Sequence, residues 1–338
     1  MIINHAYIEI TNSCNLNCLS CYNKSGTTKH RKEISFEDYQ LLFKRLVKEF
    51  GCTRITLSGG EPTLHSEFDK ILSHSLQNPA IEINIITNGT IHNPYLFYEY
   101  FQNPNFFIQV SLDGSTEPIN SAIRGDDNFN KTIAFLRRIS NCYGKKPKVK
   151  MVISKINLSD VVSFYEFCVK QNYYPSFDFI HAMGNAIDNW ETIALSAKDK
   201  LGVLRLIDNL NKKHCLNVPL PYCSFRCPLD EPANGYSILI KSNGTLQPCQ
   251  LLYDGEYQLG NILTDANEKI DLHLQQIVNL VLSRQNTDFG CSRCVANAFC
   301  NKGCLALAVM NSKHPLGNDG NCEYRQLQLL GFHMLNEE

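Results

Sequence analysis

The chain has 338 residues, and its 32 basic and 33 acidic side chains leave a net charge of −1. That balance excludes the global positive field expected of a nucleic-acid or anionic-membrane binder. No apolar run reaches the ~18–20 residues of a membrane span. Ile2-Ile-Asn-His-Ala6 runs into a first strand without an export signal, so a cytoplasmic, reducing setting is expected. Fifteen cysteines in such a setting argue for metal clusters or redox chemistry and against a disulfide framework.

The first predicted element is the alternating run Ala6-Tyr-Ile-Glu-Ile10, a strand by its period of two. Ser35 followed by Asp38 reads as a capping box opening a helix to Phe50, with Gly51 as its stop. Strands are then expected near 53–57, 81–86, 106–111, 148–153 and 176–181. Helices are expected near 66–76, 94–101, 129–142, 159–171 and 195–213. Six β/α units with parallel strands follow, which suits a partial barrel. The basic stretches Lys24 to Lys32 and Lys145 to Lys150 read as solvated loop. Near residue 215 the alternation stops and cysteines return, and Pro219-Leu-Pro221 reads as a linker or bend. The expected architecture is therefore α/β: a partial (β/α)6 barrel over 1–215 and a small cysteine-rich α+β unit over 216–338.

Cys14, Cys18 and Cys21 follow the first strand with spacings of three and two residues. Three thiolates on one short loop can serve a [4Fe–4S] cube, which ordinarily takes four cysteines, and so leave one iron open. A zinc loop favours C-x2-C pairs, of which this loop offers one. A cluster loop at a strand tip also stands where an α/β barrel carries its active site. Further on, Ser58-Gly-Gly-Glu-Pro62, Ile86-Thr-Asn-Gly89 and Ser111-Leu-Asp-Gly114 each close a strand-like run, and Ile123-Arg-Gly125 lies downstream. Gly59 and Gly60 permit close backbone approach. Glu61 offers an acceptor for an ammonium, and Arg124 a fork for a carboxylate. Asn88 and Ser111 can bond ribose hydroxyls. Singly, each of these is an ordinary turn or surface signal.

Together, in this order, they resemble the radical SAM enzymes, in which S-adenosylmethionine chelates the open iron. The resemblance implies a (β/α)6 open barrel with its site at the C-terminal strand ends. It implies that Cys14, Cys18 and Cys21 hold the SAM-binding [4Fe–4S] cluster and that Gly59, Gly60, Glu61, Asn88, Ser111 and Arg124 contact the cofactor. The run His181 to Ala186 resembles the Gly-rich end of the family's last core strand. Ser20 stands where the family often has an aromatic residue.

A second constellation runs Cys227, Gly244, Cys249, then Cys291-x2-Cys294-x5-Cys300-x3-Cys304, then Cys322. Tyr236–Ile240 and Thr245–Pro248, joined by Ser-Asn-Gly, read as a strand–turn–strand. A double zinc site fits C-x2-C pairs equally well in isolation. The whole pattern resembles the SPASM domain of radical SAM enzymes, and Leu259-Gly-Asn-Ile262 sits where such domains carry a similar segment. The resemblance implies two auxiliary [4Fe–4S] clusters. Cys291, Cys294, Cys300 and Cys322 would hold the distal one, and Cys227, Cys249 and Cys304 the nearer one, with Cys223 the candidate fourth ligand or else an open iron. Cys300 and Cys304 are expected on one helical face. Cys52, Cys142, Cys168 and Cys215 remain. Cys142 and Cys168 read as small core residues, the alternative for any of the four being a hydrogen-atom donor.

The resemblance implies reductive cleavage of S-adenosylmethionine to a 5′-deoxyadenosyl radical that abstracts hydrogen from substrate, with electrons from an external reductant such as a flavodoxin or ferredoxin. A peptide or protein substrate is expected, modified by cross-linking, epimerisation or dehydrogenation. The rivals are a dehydrogenase or epimerase of a sugar- or cyclitol-type metabolite and a non-enzymatic iron–sulfur electron carrier. The first strand begins near residue 6, so a peptide maturase of this kind is expected to use a separate recognition protein or direct capture. Gln250 stands where sulfatase-maturating relatives carry an acidic base, which argues against sulfatase activation.

Overall fold

In the computed structural model every residue is described except 92–96, 98, 99, 143, 222–224, 231–234, 254, 289 and 335–338. A nine-stranded sheet in the order β6-β5-β4-β3-β2-β1-β7-β8-β9 organises them. Six parallel strands carry the predicted units: β1 (Ile3–Thr11), β2 (Arg54–Gly59), β3 (Glu82–Thr87), β4 (Phe106–Ser111), β5 (Lys148–Ile153) and β6 (Tyr174–Phe179). The expected cysteine-rich unit begins with β7 (Tyr236–Ile240), which pairs in parallel with β1, so the sheet is continuous across residue 215. From there β8 (Thr245–Gln247) and β9 (Gly260–Asn261) fold back antiparallel, with Gly244 at φ +81° supplying the left-handed turn residue.

Helices cover the outer face. They are α1 (Phe36–Lys48), α2 (Phe68–Leu76), α3 (Glu117–Arg124), α4 (Asn128–Cys142), α5 (Val161–Lys170), α6 (Asn185–Asp188), α7 (Trp190–Ile193) and α8 (Ala197–His214), followed by α9 (Asn267–Ser283), α10 (Leu305–Ser312) and α11 (Cys322–Met334). In α1 the buried positions Tyr39, Leu42, Phe43 and Leu46 form the i, i+3, i+4, i+7 stripe that seats a helix on a sheet. Ser35 caps α1 by accepting the Asp38 N–H, without the expected reciprocal bond. The full capping box occurs instead at Ser196 and Asp199, opening α8. Helix α3 was not expected, because two of the three residues on its buried face, Asn120, Ile123 and Arg124, are polar. Most of the helix expected over 94–101 lies outside the described residues.

The alternation in β1 has an unexpected meaning. Ala6, Ile8 and Ile10 are fully buried beneath the helices, while His5, Tyr7 and Glu9 face the concave side of the sheet. The same concave face receives Thr56, Asn84, Gln109, Lys148 and Lys150. Lys148 and Lys150 are therefore strand residues lining an interior, not the solvated loop expected. A barrel left open on one side can carry such a polar lining because water and ligand reach it. Among the described residues no helix is long and apolar enough to cross a membrane.

Candidate active site

The loop after β1 has almost no regular structure, so its backbone groups need partners elsewhere. Strand ends all around the barrel supply them. Gly60 N–H donates to Thr11 O at 2.8 Å and Glu61 N–H to Ser13 O at 2.8 Å. Asn15 Nδ2 donates to Thr90 Oγ1 at 2.8 Å, and Leu19 N–H to Ile123 O at 2.8 Å. After β6, Asn185 donates its N–H to Cys21 O and its Nδ2 to Cys18 O, both at 2.9 Å. Asn23 Nδ2 reaches Gly59 O at 3.1 Å and the buried Glu9 at 3.3 Å. The three cysteines are thus presented by a loop clamped from five sides.

The glycines expected to admit a ligand are needed first by this clamp. A Cβ on Gly59 would lie 2.1 Å from Thr11 O, and one on Gly60 2.0 Å from Ser13 O. Gly184, at φ +54°, would meet Cys21 O at 2.2 Å and Tyr22 O at 2.4 Å. The Gly-rich end of the sixth strand is therefore a seat for the cysteine loop. The strand itself ends earlier than expected, at Phe179.

Glu61 is buried, and its carboxylate accepts from Thr63 N–H and Oγ1, Thr87 Oγ1 and Asn88 N–H at 2.7–3.3 Å. Burial pushes its pKa up against these hydrogen bonds. Asn88 gives its Nδ2 to Asn15 Oδ1 at 2.9 Å and approaches Cys14 Sγ at 3.9 Å, while its Oδ1 accepts from Thr90. Asn88 thereby ties the end of β3 to the cysteine loop, and Glu61 ties it to Thr63 after β2, while both residues line the cavity described next. Arg124 pairs through Nε with the fully buried Asp113 Oδ2 at 2.8 Å. Its Nη1 stands 4.0 Å from Cys18 Sγ, placing a fixed positive charge beside that sulfur. Asp113 in turn accepts the Val152 N–H at 2.8 Å, so the guanidinium is anchored through β5.

A cavity of about 280 Å³ opens here. Cys14, Cys18, Cys21, Gly59, Gly60, Glu61, Asn88, Ser111 and Arg124 all line it. Burial raises the Cys14 thiol pKa to about 12 and also raises that of Cys18. A metal taken up as thiolate must therefore displace protons. Three sulfurs on one rim, with an N–H donor and a guanidinium near two of them, fit the donor set of an iron–sulfur cluster.

The sequence reading missed the opposite wall. Lys150 and Asp178 form an ion pair across β5 and β6, and His181 and Gln250 stand beside them. Burial lowers the His181 pKa. The signal was present: a lysine amid Val149, Met151 and Val152 is a charge on the inner face of a strand. These four residues and Leu251 also line a second cavity of about 560 Å³. That space carries Cys227, Cys249 and Cys304 on its far side, so it adjoins the first cavity. Cys223 lies outside the described residues.

Cys291, Cys294, Cys300 and Cys322 surround a separate space of about 30 Å³. Among the described residues no group of three or more His, Cys, Asp or Glu side chains is gathered as for a single metal ion. Cys300 and Cys304 do not share a helical face: Cys304 is the N-cap of α10, and Lys302 and Gly303 between them have positive φ. Cys168 is a fully buried core residue as expected, whereas Cys142 is partly exposed and Cys215 is a left-handed helix cap on the surface. None of Cys52, Cys142, Cys168 and Cys215 lines the first cavity.

Comparison with known proteins gives this arrangement its context. A family model described as "Radical SAM superfamily" matches residues 8–168. The mycofactocin maturase MftC of Mycolicibacterium smegmatis is 21% identical over 93% of this chain and 81% of its own length. A cysteine-type anaerobic sulfatase-maturating enzyme of Clostridium novyi is 27% identical over 93% of this chain and 90% of its own. Streptococcus suis SuiB bound to S-adenosylmethionine shares the fold with a TM-score of 0.77 at 17% identity, over 95% of this chain and 77% of that one. Its complex with the precursor peptide SuiA gives 0.74 at 16% identity, over 95% and 76%. Residues 8–168 thus belong to a radical SAM domain, and the chain is an enzyme that acts through S-adenosylmethionine radical chemistry.

Proposed function

We propose that this enzyme modifies a peptide or protein, removing a hydrogen atom at the first cavity and an electron toward the second. The observation that carries the reading is the shared wall of Lys150, Asp178, His181, Gln250 and Leu251, which leaves one substrate position between the two sets of cysteines. The relatives named as maturases, and SuiB with its bound precursor peptide, support the peptide class. In this reading Cys14, Cys18 and Cys21 hold the SAM-cleaving cluster, which when bound supplies the 5′-deoxyadenosyl radical from S-adenosylmethionine. Gly59, Gly60, Glu61, Asn88, Ser111 and Arg124 contact the cofactor in this reading, and Asn88 and the two glycines also keep the cysteine loop in register with it.

Residues 216–338 act in the same reading as a SPASM domain. Cys291, Cys294, Cys300 and Cys322 are the distal cluster ligands, and Cys227, Cys249 and Cys304 the nearer ones, with Cys223 the candidate fourth or else an open iron. An external one-electron reductant of the flavodoxin or ferredoxin type feeds the first cluster, and the peptide is presented by a separate recognition protein or captured directly by the barrel. Thiolate ligation of this density suits the reducing cytoplasm.

The test uses reduced, reconstituted full-length protein with S-adenosylmethionine and deuterated synthetic peptides encoded beside its gene. The expected result is 5′-deoxyadenosine carrying deuterium and a peptide short of hydrogen. Deuterium transfer from a sugar or cyclitol and from none of the peptides would overturn the peptide reading.

A further inference from the structure

Behind the distal cysteines lie two ions of opposite sign, Arg325 and Asp319, each 1% exposed and paired through Nη2 and Oδ2. Stability alone is a poor reason for such a pair, since both ions must be desolvated and an apolar replacement is often as stable. Their surroundings suggest another role. Arg325 lines the small space enclosed by Cys291, Cys294, Cys300 and Cys322. Asp319 Oδ2 also accepts the Cys304 backbone N–H at 3.1 Å, and its Oδ1 accepts the N–H of Asn321 at 3.1 Å, one residue before Cys322.

The backbone joining the two cysteine sets runs directly over the pair. A Cβ on Gly303 would meet Arg325 Nη2 at 1.8 Å and Asp319 Oδ2 at 2.2 Å. Other charged groups face the region. Lys302 donates to Thr287, and Arg284 donates to the carbonyls of Lys302, Gly303 and Gly317 at 2.9 Å. Asp288 accepts the Cys291 N–H at 2.9 Å. Lys302 also lines the distal space, but the Asp319–Arg325 pair reaches both sides: the cation faces the distal sulfurs, and the anion holds an amide of a ligand on the nearer side.

We propose that the Asp319–Arg325 pair sets the difference in reduction potential between the two auxiliary clusters, an inference that rests on the cluster assignment above. A cluster gains negative charge on reduction, so a fixed cation beside it raises its potential and a neutralising anion lowers it. The guanidinium keeps its charge at any working pH. Asp319 partly neutralises Arg325 and also takes the Cys304 N–H as a hydrogen-bond donor.

The experiment is an anaerobic potentiometric titration of the full-length reconstituted enzyme, followed by electron paramagnetic resonance, with iron counted in each sample. Arg325→Gln is expected to lower the distal potential and leave the nearer one almost unmoved. Asp319→Asn is expected to move the distal potential upward, because Arg325 is then uncompensated. Opposite signs distinguish this role from a purely structural one. Unchanged potentials at wild-type iron content, or shifts of the same sign, would overturn the proposal. Should Arg325→Gln lose iron, Asp319→Asn decides alone: a raised distal potential supports the proposal and an unchanged one refutes it. Three cubes correspond to ~12 iron atoms per chain. A wild-type count near four would instead remove the cluster assignment itself, before any variant is compared.

Discussion

Gly184→Ala is the sharpest perturbation of the proposed SAM-cleaving centre that leaves every candidate cofactor contact in place. The new Cβ would stand 2.2 Å from Cys21 O and 2.4 Å from Tyr22 O. Ordinary contact begins near ~3.4 Å, so the cysteine loop must retreat by about 1 Å. The backbone at Gly184 has φ +54° and ψ −129°, a region that costs a residue with a Cβ roughly 1–3 kcal/mol. The retreat also strains the two Asn185 hydrogen bonds to Cys18 O and Cys21 O. A misplacement of about 1 Å at a reacting centre costs on the order of 100-fold. Cleavage of S-adenosylmethionine should therefore fall by about that factor, measured as 5′-deoxyadenosine formed under dithionite. Gly202→Ala is the control: nothing lies within 4 Å of its Cβ inside α8. There alanine should stabilise the fold by about 0.8–1 kcal/mol and leave cleavage unchanged. If Gly184→Ala cleaves at the wild-type rate, Gly184 does not position the cysteine loop.

Cys14→Ala should abolish cleavage of S-adenosylmethionine, whereas Cys322→Ala should retain cleavage and lose peptide turnover, both read by chromatography of nucleoside and peptide. Glu61→Gln places an amide against the Thr63, Thr87 and Asn88 donors. Each clash of donors costs about 1–3 kcal/mol, so the urea midpoint should drop markedly. His5 is partly buried beside Arg54, and desolvation lowers its pKa from 6.5 to about 4. The sign follows from the unfolded chain binding a proton below pH 6.5 that the folded chain refuses until about pH 4. Stability is therefore lost as the pH falls through that window, by about 3 kcal/mol when complete. His5→Gln should remove this component when denaturation curves at pH 7 and pH 5 are compared; an unchanged pH slope would show that His5 does not supply it.

Much of the fold was legible because parallel strands under helices write strong local signals. β4 and β5 have the expected bounds, and the Ser-Asn-Gly turn before Thr245 forms as its glycine demands. Spacing singled out the three cysteines, and the resemblance of the motif order added six further residues that line the same cavity. What spacing could not give was direction. Asn88 also bonds Asn15 of the cysteine loop and Glu61 the end of β3 at Thr87 and Asn88, links that only the tertiary structure shows. Helix α3 and the non-helical turn at 301–303 were illegible for a related reason. Gly303 adopts its conformation under Arg325 and Asp319, which lie 16–22 residues later in the chain.

The polar inner face of the sheet deepens this point. In a strand packed on both sides, Lys148-Val-Lys-Met-Val-Ile153 would leave two ammonium groups desolvated at prohibitive cost. The sequence thus excludes a sheet covered on both faces, and with it a closed apolar barrel core. Burial and the Lys150 charge do lower the Lys148 pKa. Lys150 reaches Asp178, and that ion pair stands at the wall common to both cysteine-bearing cavities. A charge pair there leaves room for a polar main chain or side chain between the two sulfur sets, while Leu251 and Phe179 give the same space apolar wall. Lys150→Met would remove the cation that pairs with Asp178 at this wall. It should therefore impair substrate turnover more than uncoupled cleavage of S-adenosylmethionine, because neither Lys150 nor Asp178 holds the cysteine loop. Equal losses in both assays would place the pair in the cleavage step and move the proposed substrate position away from the shared wall.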